Sequence, residues 1–383
     1  MTLKIVADAA IPFAEQHFSS IGETSLVNGR DINPVIVNDA DILVVRTITR
    51  VDEKLLQESK INFVASATSG TDHVDLAYLN SRKIGFAYAP GCNARSVAEY
   101  VLSSLFVLSD QGRFDLSGKQ VGIVGCGHVG SLVLKFLETL DIDCLVYDPP
   151  LRQKGGTGSF CNLEELISAD IITLHVPLTD EGDHPTYEMF GETLLGRLKD
   201  DVILINTSRG GVVDEKALLN FLQRHPDASA VIDVWMGEPD INPGLVEKAA
   251  IGTPHIAGYS TDSKLRGTRM VYEKICKYFD VEPEAGLPSL PESTMNTIML
   301  SETEKRLDAI QMAVLTSYDV RSDSISLRRM LDIATEKRRS YFDELRNNYP
   351  LRREFSAITI ELLDDMGDVK QKLNALGFKV KSR

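Results

Sequence analysis

The sequence of 383 residues lacks the features that mark secreted and membrane-spanning proteins. Residues 1–8 have neither the basic start nor the long apolar core of a signal peptide. The longest apolar stretch, Val101 to Leu108, is interrupted by Ser103 and Ser104 and is too short to cross a bilayer. These absences predict a cytoplasmic protein that has no membrane partner.

Basic residues and cysteines are also few. The chain has 41 Lys and Arg against 55 Asp and Glu, a formal net charge of −14 at pH 7, so we expect no nucleic-acid partner. Its five cysteines form an odd number with no Cys-x-x-Cys spacing, which favours reduced thiols over disulfides or a structural zinc site. No cluster of His, Cys and Asp has metal-ligand spacing, so we expect no metal.

The apolar residues that are present, 43% of the chain, follow a repeating pattern. Short runs rich in Val and Ile alternate with helix-length amphipathic segments, which predicts an α/β fold with two parallel sheets. We predict a discontinuous outer domain, residues 1–92 and 259–280, and a continuous inner domain, residues 93–258. The predicted strands are Lys4–Ala7, Ile42–Arg46, Phe63–Ser66, Gln120–Val124, Asp143–Tyr147, Ile171–His175, Val202–Asn206 and Ala230–Val234.

The composition changes after Asp280. Residues 281–291 carry three prolines and a glycine, which is typical of a linker or surface crossing. A charged helical pattern through 301–318 follows, and strand patterns lie at 355–362 and 378–380. We predict a third domain over residues 281–383.

The segment 121–130 contains Gly125-x-Gly127-x-x-Gly130 between a strand pattern and a helical pattern. In that context Gly125 allows a tight turn, Gly127 lets the backbone approach a pyrophosphate, and Gly130 lets the helix pack closely on the strand. The free N–H groups at the start of the helix would then receive the diphosphate. The segment therefore predicts a dinucleotide site.

Asp148 follows the next predicted strand, near the offset at which an acidic residue binds the ribose hydroxyls of a dinucleotide. A carboxylate there repels the 2′-phosphate of NADP, so NAD is the expected cofactor. Two alternatives stay open. The nearby Arg152 could accept that phosphate, and Asp148, which precedes Pro149, could be a solvated strand end.

Three polar residues, Arg209, Glu238 and His255, each follow an inner strand pattern, so they could face one cleft. A histidine can take the proton of an alcohol as hydride leaves, and a carboxylate beside it favours the protonated imidazole. An arginine can hold a carboxylate through two contacts. We predict His255 as acid/base, Glu238 as its partner and Arg209 as substrate clamp. Taken singly, each residue has a structural alternative. His255 could be a structural histidine, Glu238 a turn residue and Arg209 the start of a surface helix.

Four ordered motifs resemble those of a known family. They are the glycine motif, Asn-Thr-Ser-Arg-Gly-Gly-Val-Val-Asp (206–214), Asp-Val-Trp-Met-Gly-Glu-Pro (233–239) and Thr-Pro-His-Ile-Ala-Gly (253–258). Over roughly residues 1–280 the chain resembles the D-isomer-specific 2-hydroxyacid dehydrogenases. This implies a Rossmann-type NAD-binding domain and a flavodoxin-like discontinuous substrate domain. With the glycine loop, the expected cofactor-binding residues are Gly125, Gly127, His128, Val129, Gly130, Asp148, His175, Val176, Thr207, Ser208, Arg209, Asp233 and Gly258.

Segments 89–100 and 317–323 are similar to one branch of that family, which oxidises a phosphorylated four-carbon 2-hydroxy acid in pyridoxal phosphate biosynthesis. The resemblance implies an additional α+β C-terminal dimerisation domain and hence a homodimer. Small residues in 65–75 also predict backbone N–H groups that bind a carboxylate. The expected substrate-binding residues are Arg46, Thr47, Thr68, Ser69, Gly70 and Tyr259.

The substrate phosphate needs further donors, for which Arg46, Tyr259, Arg321, Arg352 and Arg353 are candidates. For Arg352 and Arg353 we favour a solvated helix face.

Two other functions stay open. Another dehydrogenase of the family, above all phosphoglycerate dehydrogenase, would carry a small regulatory βαββαβ domain after residue 280, which the charged helical pattern fits poorly. A non-enzymatic NAD-sensing co-repressor or scaffold would share the fold, because function belongs to the site and not to the fold.

Overall fold

A computed structural model describes residues 2–156, 158–288, 290, 297–301 and 306–382. The chain forms two compact units, one of Met1–Ala94 with Ser260–Glu292 and the other of Arg95–Tyr259 with Ser293–Arg383. The strands are β1 (Leu3–Asp8), β2 (Gly22–Val27), β3 (Ile42–Val45), β4 (Phe63–Ser66), β5 (Gly85–Tyr88), β6 (Gln120–Val124), β7 (Asp143–Tyr147), β8 (Ile171–Leu174), β9 (Ile203–Asn206), β10 (Ser229–Ile232), β11 (Ile251–Gly252), β12 (Ile298–Leu300), β13 (Thr359–Leu362) and β14 (Lys379–Ser382).

Sixteen α-helices lie in the described residues. They are α1 (Ala14–Phe18), α2 (Pro34–Val37), α3 (Glu53–Leu56), α4 (Leu76–Ser81), α5 (Ala94–Asp110), α6 (His128–Thr139), α7 (Pro149–Gln153), α8 (Leu163–Ile167), α9 (Glu192–Leu195), α10 (Glu215–Arg224), α11 (Pro243–Lys248), α12 (Thr261–Phe279), α13 (Arg306–Ser317), α14 (Arg321–Arg328), α15 (Thr335–Asn347) and α16 (Gly367–Leu376). Short 3-10 turns cover Gly210–Val212, Arg329–Asp332 and Phe355–Ala357.

The first unit is a parallel five-stranded sheet in the order β2-β1-β3-β4-β5, the flavodoxin-like order. Alternate residues of its central strands enter opposite apolar layers, because side chains of a strand point to opposite faces. Ile5 packs on one face with Phe18 and with Tyr272 of α12, whereas Val6 packs on the other with Leu56. The two layers give this unit its own core.

The second unit contains a parallel six-stranded sheet in the order β11-β10-β9-β8-β6-β7. Beyond β7, an isolated bridge joins Val146 to Phe160, where a Rossmann sheet has its outermost strand. Along the chain, β7 is added on one side of β6 and β8 on the other, so the strand order reverses between β6 and β8. Ligands of such sheets bind outside the carboxyl ends of the strands at this point. The predicted parallel α/β fold is confirmed.

The C-terminal region adds a parallel three-stranded sheet, β12-β13-β14, to the same unit. Its buried residues Leu300, Ile310 and Leu373 belong to one apolar cluster with Phe106 of α5 and Phe136 of α6. The region therefore shares the core of the inner sheet. A division into three domains stays a prediction.

The apolar pattern of the sequence does not predict strands that contain few apolar residues. β2 (Gly22–Val27) alternates between exposed and half-buried residues at the edge of its sheet, so no apolar run marks it. Within the predicted strand 355–362, a 3-10 turn occupies Phe355–Ala357 and only Thr359–Leu362 is extended.

Candidate functional site

A cleft of about 1000 Å³ opens at the carboxyl ends of β6 and β8, where the strand order reverses. Five of the expected cofactor-binding residues line it, namely Gly125, Gly127, Asp148, His175 and Val176. The cleft lies beside the start of α6, whose first residues are the exposed His128 and the half-buried Val129. Its position is that of the nucleotide crevice in a Rossmann sheet.

The three glycines of the loop differ in what a side chain would meet. Gly125 has φ 85°, a conformation that favours glycine. A Cβ on Gly130 would lie 1.9 Å from the carbonyl oxygen of Gly125, whereas a Cβ on Gly127 would meet nothing within 4 Å. The loop is therefore closed on the strand side and open at Gly127, which fits a diphosphate against its backbone.

Asp148 shapes this loop as well as lining the cleft. Its Oδ2 accepts a hydrogen bond from the Cys126 N–H at 2.8 Å, and its Oδ1 accepts one from the Leu151 N–H at 2.9 Å. The carboxylate thus ties the glycine loop to the start of α7. Each oxygen keeps acceptor capacity for ribose hydroxyls, since a carboxylate oxygen has two lone pairs.

His175 lies at the end of β8, and burial lowers its pKa to about 3, so its imidazole is neutral at physiological pH. Its Nδ1 lies 3.3 Å from the Thr207 hydroxyl. Asn206 holds the adjoining turn, because its Oδ1 accepts from the Ser208 N–H and hydroxyl and its Nδ2 donates to the Arg209 carbonyl. These contacts place Thr207 and Ser208 after β9, as expected.

The structure brings His255 and Glu238 together. His255 Nδ1 lies 2.7 Å from Glu238 Oε2, and Glu238 Oε1 accepts a hydrogen bond from the Trp235 N–H at 2.9 Å. Burial acts to raise the pKa of Glu238, but the charge and hydrogen bond of His255, with the charge of Arg346, lower it below its ordinary value. Glu238 is therefore an ionised partner for the imidazole, as its predicted role requires.

The segment that carries His255, residues 253–259, is held by a buried carboxylate. Asp233 accepts hydrogen bonds from the Thr253 hydroxyl (2.6 Å) and from the N–H groups of Ile256 (2.7 Å) and Ala257 (3.0 Å). Asp233 is only 1% exposed, and burial raises its pKa. His255 itself has φ 57°, an uncommon conformation for a residue with a side chain. We call 253–259 the catalytic loop.

Arg209 lies beside the loop that carries Glu238. Its Nη1 donates to the Ser208 carbonyl at 2.7 Å. A Cβ on the next residue, Gly210, would lie 2.1 Å from the carbonyl carbon of Trp235, so glycine permits this close approach. Trp235 in turn donates from its indole to the Thr253 carbonyl at 2.9 Å, which links the three predicted catalytic segments.

Two arginines of the C-terminal region also reach the catalytic loop, and sequence reasoning missed or misplaced both. Arg352 is 6% exposed and donates to the carbonyls of Ala257 (3.0 Å) and Ser96 (2.6 Å), so the predicted solvated helix face is wrong. Arg346 on α15 donates to the Tyr259 hydroxyl at 3.1 Å. Neither follows a motif, because each lies more than 80 residues from its partner in the loop.

The other candidate arginines of this region have different surroundings. Arg321 pairs with the carboxylates of Asp319 (2.7 Å) and Asp110 (2.9 Å), away from the catalytic loop. Arg353 is half-buried.

The expected substrate residues of the first unit gather at the carboxyl ends of neighbouring strands. Arg46 follows β3 and donates to both oxygens of buried Asp8, at 2.8 and 3.3 Å. The Thr68 hydroxyl, after β4, lies 2.8 Å from that of Ser66, which is 3.0 Å from His73 Nε2. The Ser69 hydroxyl accepts from the Gly91 N–H, Gly70 is half-buried, and Thr47 is exposed.

Comparisons with known proteins agree with this arrangement. Residues 103–257 match the family described as D-isomer specific 2-hydroxyacid dehydrogenase, NAD binding domain, and residues 289–377 match a domain of unknown function, DUF3410. An erythronate-4-phosphate dehydrogenase from Chromohalobacter salexigens is 43% identical over 99% of this chain and 99% of its own. One from Escherichia fergusonii is 44% identical over 98% of each chain.

The chain belongs to the erythronate-4-phosphate dehydrogenases, within the D-isomer-specific 2-hydroxyacid dehydrogenase family. It is an NAD-dependent oxidoreductase, which confirms the predicted enzyme class and cofactor. The reading as a non-enzymatic co-repressor or scaffold is thereby set aside.

Solved structures show the same fold over about three quarters of the chain. D-lactate dehydrogenase from Aquifex aeolicus, complexed with NAD and lactic acid, aligns with a TM-score of 0.61 and 25% identity over 72% of this chain and 95% of its own. A 3-phosphoglycerate dehydrogenase from Entamoeba histolytica with bound NAD aligns with a TM-score of 0.63 at 24% identity over 75% of this chain. At 24% identity, the similarity to this phosphoglycerate dehydrogenase shows only that the fold is shared.

Within the described residues, no helix is long and apolar enough to cross a membrane, and no group of three or more His, Cys, Asp or Glu could hold a metal ion.

Proposed function

We propose that the protein oxidises 4-phospho-D-erythronate to (R)-3-hydroxy-2-oxo-4-phosphooxybutanoate with NAD, in the biosynthesis of pyridoxal 5′-phosphate. The observation that carries this proposal is the His255–Glu238 pair, 2.7 Å apart, in a chain that matches erythronate-4-phosphate dehydrogenases over nearly its whole length.

His255 acts as the base. With Nδ1 turned to the ionised Glu238, Nε2 is the ring atom available to take the proton of the substrate hydroxyl. Glu238 fixes the ring orientation and stabilises the imidazolium that forms. When bound, NAD supplies the acceptor for the hydride that leaves the same carbon.

The substrate carboxylate is held by Arg209, whose planar guanidinium suits a two-pronged contact. Arg46, Thr47, Thr68, Ser69, Gly70 and Tyr259 complete the proposed substrate site. The Ser66–His73 contact supports this assignment for Thr68, since it orients the hydroxyl to which Thr68 bonds. The remaining expected cofactor residues, from Gly125 to Gly258, keep their proposed role.

We place the protein in the cytoplasm, as a homodimer formed through the C-terminal region. Two large apolar side chains of that region support the homodimer. Met299 on the edge strand β12 is 51% exposed, and Met312 on α13 is 49% exposed. The test is light scattering after size-exclusion chromatography. We expect the mass of two chains, and the mass of one chain would contradict the homodimer.

The substrate is tested by steady-state kinetics. We expect kcat/KM with 4-phospho-D-erythronate to exceed that with 3-phospho-D-glycerate, the substrate of the alternative dehydrogenase, and NADH formation to depend on enzyme concentration. A preference for 3-phospho-D-glycerate would overturn the proposal.

A further inference from the structure

Arg346 is a half-buried cation with unused donors. It lies on α15, and its Nη2 donates to the Tyr259 hydroxyl at 3.1 Å. Its Nε is buried and has no hydrogen-bond partner among the described residues. Among the described residues, no carboxylate forms an ion pair with Arg346. This is unusual, because removing a charge from water is costly unless the charge is paired.

The nearby carboxylates are committed to other groups. Glu238 bonds to His255 and Trp235, and Asp233 bonds to Thr253 and the catalytic loop. Burial acts to lower the pKa of Arg346, but Tyr259 and Glu238 raise it above its ordinary value, so the guanidinium keeps its charge. The site therefore presents a charged donor, close to the catalytic pair, whose counter-ion is not supplied by the chain.

The aromatic surroundings hold the guanidinium in place. Its central carbon lies 5.8 Å from the ring centre of Tyr259 and 6.0 Å from that of Phe342. Stacking of this kind leaves the N–H groups at the edge of the guanidinium plane free for an anion. The next C-terminal arginine, Arg352, differs because it donates to two backbone carbonyls and lies 3.6 Å over the Tyr318 ring.

We propose that Arg346 binds the phosphate group of the substrate, with the Tyr259 hydroxyl as a second donor. This inference rests on the proposed function, in which Arg209 takes the carboxylate, while Arg46, the other arginine of the proposed substrate site, is already paired with Asp8. A guanidinium fork matches a phosphate through parallel N–H···O contacts. Arg346 would then set the selectivity for phosphorylated over unphosphorylated acids, and the C-terminal region would be part of the substrate site.

The test compares 4-phospho-D-erythronate with D-erythronate as substrates of Arg346→Gln. We expect the ratio of their kcat/KM values to fall about 10- to 100-fold, since a hydrogen bond to a charged group is worth roughly 1.5–3 kcal/mol. Arg346→Lys should lose less, because it keeps the charge without the fork. Arg339→Gln, an exposed arginine on the same helix, is the control and should leave the ratio unchanged.

Equal losses for both substrates, or no loss, would overturn the role of Arg346, since a residue that only positions the catalytic loop would affect both acids alike. Calorimetric titration with inorganic phosphate separates this outcome from failure of the proposed function. If wild-type enzyme does not oxidise 4-phospho-D-erythronate, the proposed function fails, and phosphate affinity still tests Arg346. We expect about a tenfold or greater rise in the phosphate Kd of Arg346→Gln, and an unchanged Kd would contradict the proposal.

Discussion

The glycine loop and the catalytic loop are built in different ways. The glycine loop, residues 125–130, is shaped by backbone packing, by the His175 backbone beside Gly125 and by Asp148. The catalytic loop, residues 253–259, is held by Asp233 and Trp235, 18–24 positions away, and also by Arg352, 95 positions away. Both loops are tied to an aspartate within 24 positions, but the catalytic loop is also held by two arginines of the C-terminal region.

This difference predicts separate vulnerabilities. Substitutions in the glycine loop should change NAD affinity, because that loop offers its backbone to the diphosphate. Substitutions that loosen the catalytic loop should change turnover far more than NAD affinity, because Gly258 is the one residue of that loop in the proposed cofactor site. The C-terminal region acts directly on the second half, since its arginines donate to Ala257 and Tyr259.

The largest expected effect is that of His255→Ala. Removing the base should lower kcat about 10²- to 10⁴-fold, the usual contribution of a positioned acid/base. The Kd for NAD, measured by fluorescence titration, should stay within about twofold, because the glycine loop is untouched. His225→Ala, at the end of α10, is the matched control. Full turnover by folded His255→Ala would remove His255 from its proposed role.

Two glycine substitutions test the glycine loop. Gly130→Ala places a methyl group against the Gly125 carbonyl and should lower the free energy of unfolding by about 1–3 kcal/mol. Gly127→Ala meets open space, so its free energy of unfolding should stay within about 0.5 kcal/mol, while its NAD Kd rises roughly tenfold or more. Chemical denaturation and NAD titration of both proteins measure this contrast. Unchanged NAD affinity in Gly127→Ala would argue against a diphosphate at that position.

The last effect is on the pH dependence of stability and concerns Glu99, which is fully buried on α5 and 3.7 Å from Arg352. Burial raises the pKa of Glu99 to about 8, opposed by the charge of Arg352 and assisted by that of Glu354. The folded protein thus holds this proton more tightly than the unfolded chain does. Its free energy of unfolding should therefore fall as pH rises from about 4.5 towards 8.

Glu99→Gln should remove that part of the pH dependence, roughly 2–4 kcal/mol between pH 5 and pH 8. Urea denaturation at several pH values measures it. If the free energy of unfolding depended on pH identically in the wild type and in Glu99→Gln, Glu99 would be ionised in the folded protein.

The features found from sequence are those that a short segment determines. The glycine loop, Asp148 and the three catalytic motifs each combine a strand end with residues next to it, and the sheet then brings the strand ends together. Pairing of Glu238 with His255 followed because β10 and β11 are adjacent. No comparable signal marks Arg346, whose neighbour Tyr259 lies 87 positions away.

Arg352 illustrates the same limit. A pair of arginines in a charged segment is typical of a solvated surface, and only packing on α5 buries one of them. Its guanidinium lies 3.7 Å from the Glu99 carboxyl and over the Tyr318 ring, and its hydrogen bond to Ala257 fixes the catalytic loop. Such a residue is recognised from contacts, because its sequence neighbours contribute little to its environment.

The most direct test of the contrast between the two loops is a pair of measurements on Arg352→Met, made well below its unfolding temperature. We expect kcat to fall about tenfold or more, because the Ala257 carbonyl loses its donor and His255 is no longer held in place, while the NAD Kd stays within about twofold. Equal losses in turnover and NAD affinity, or unchanged turnover, would contradict the claim that Arg352 supports the catalytic loop and not the glycine loop.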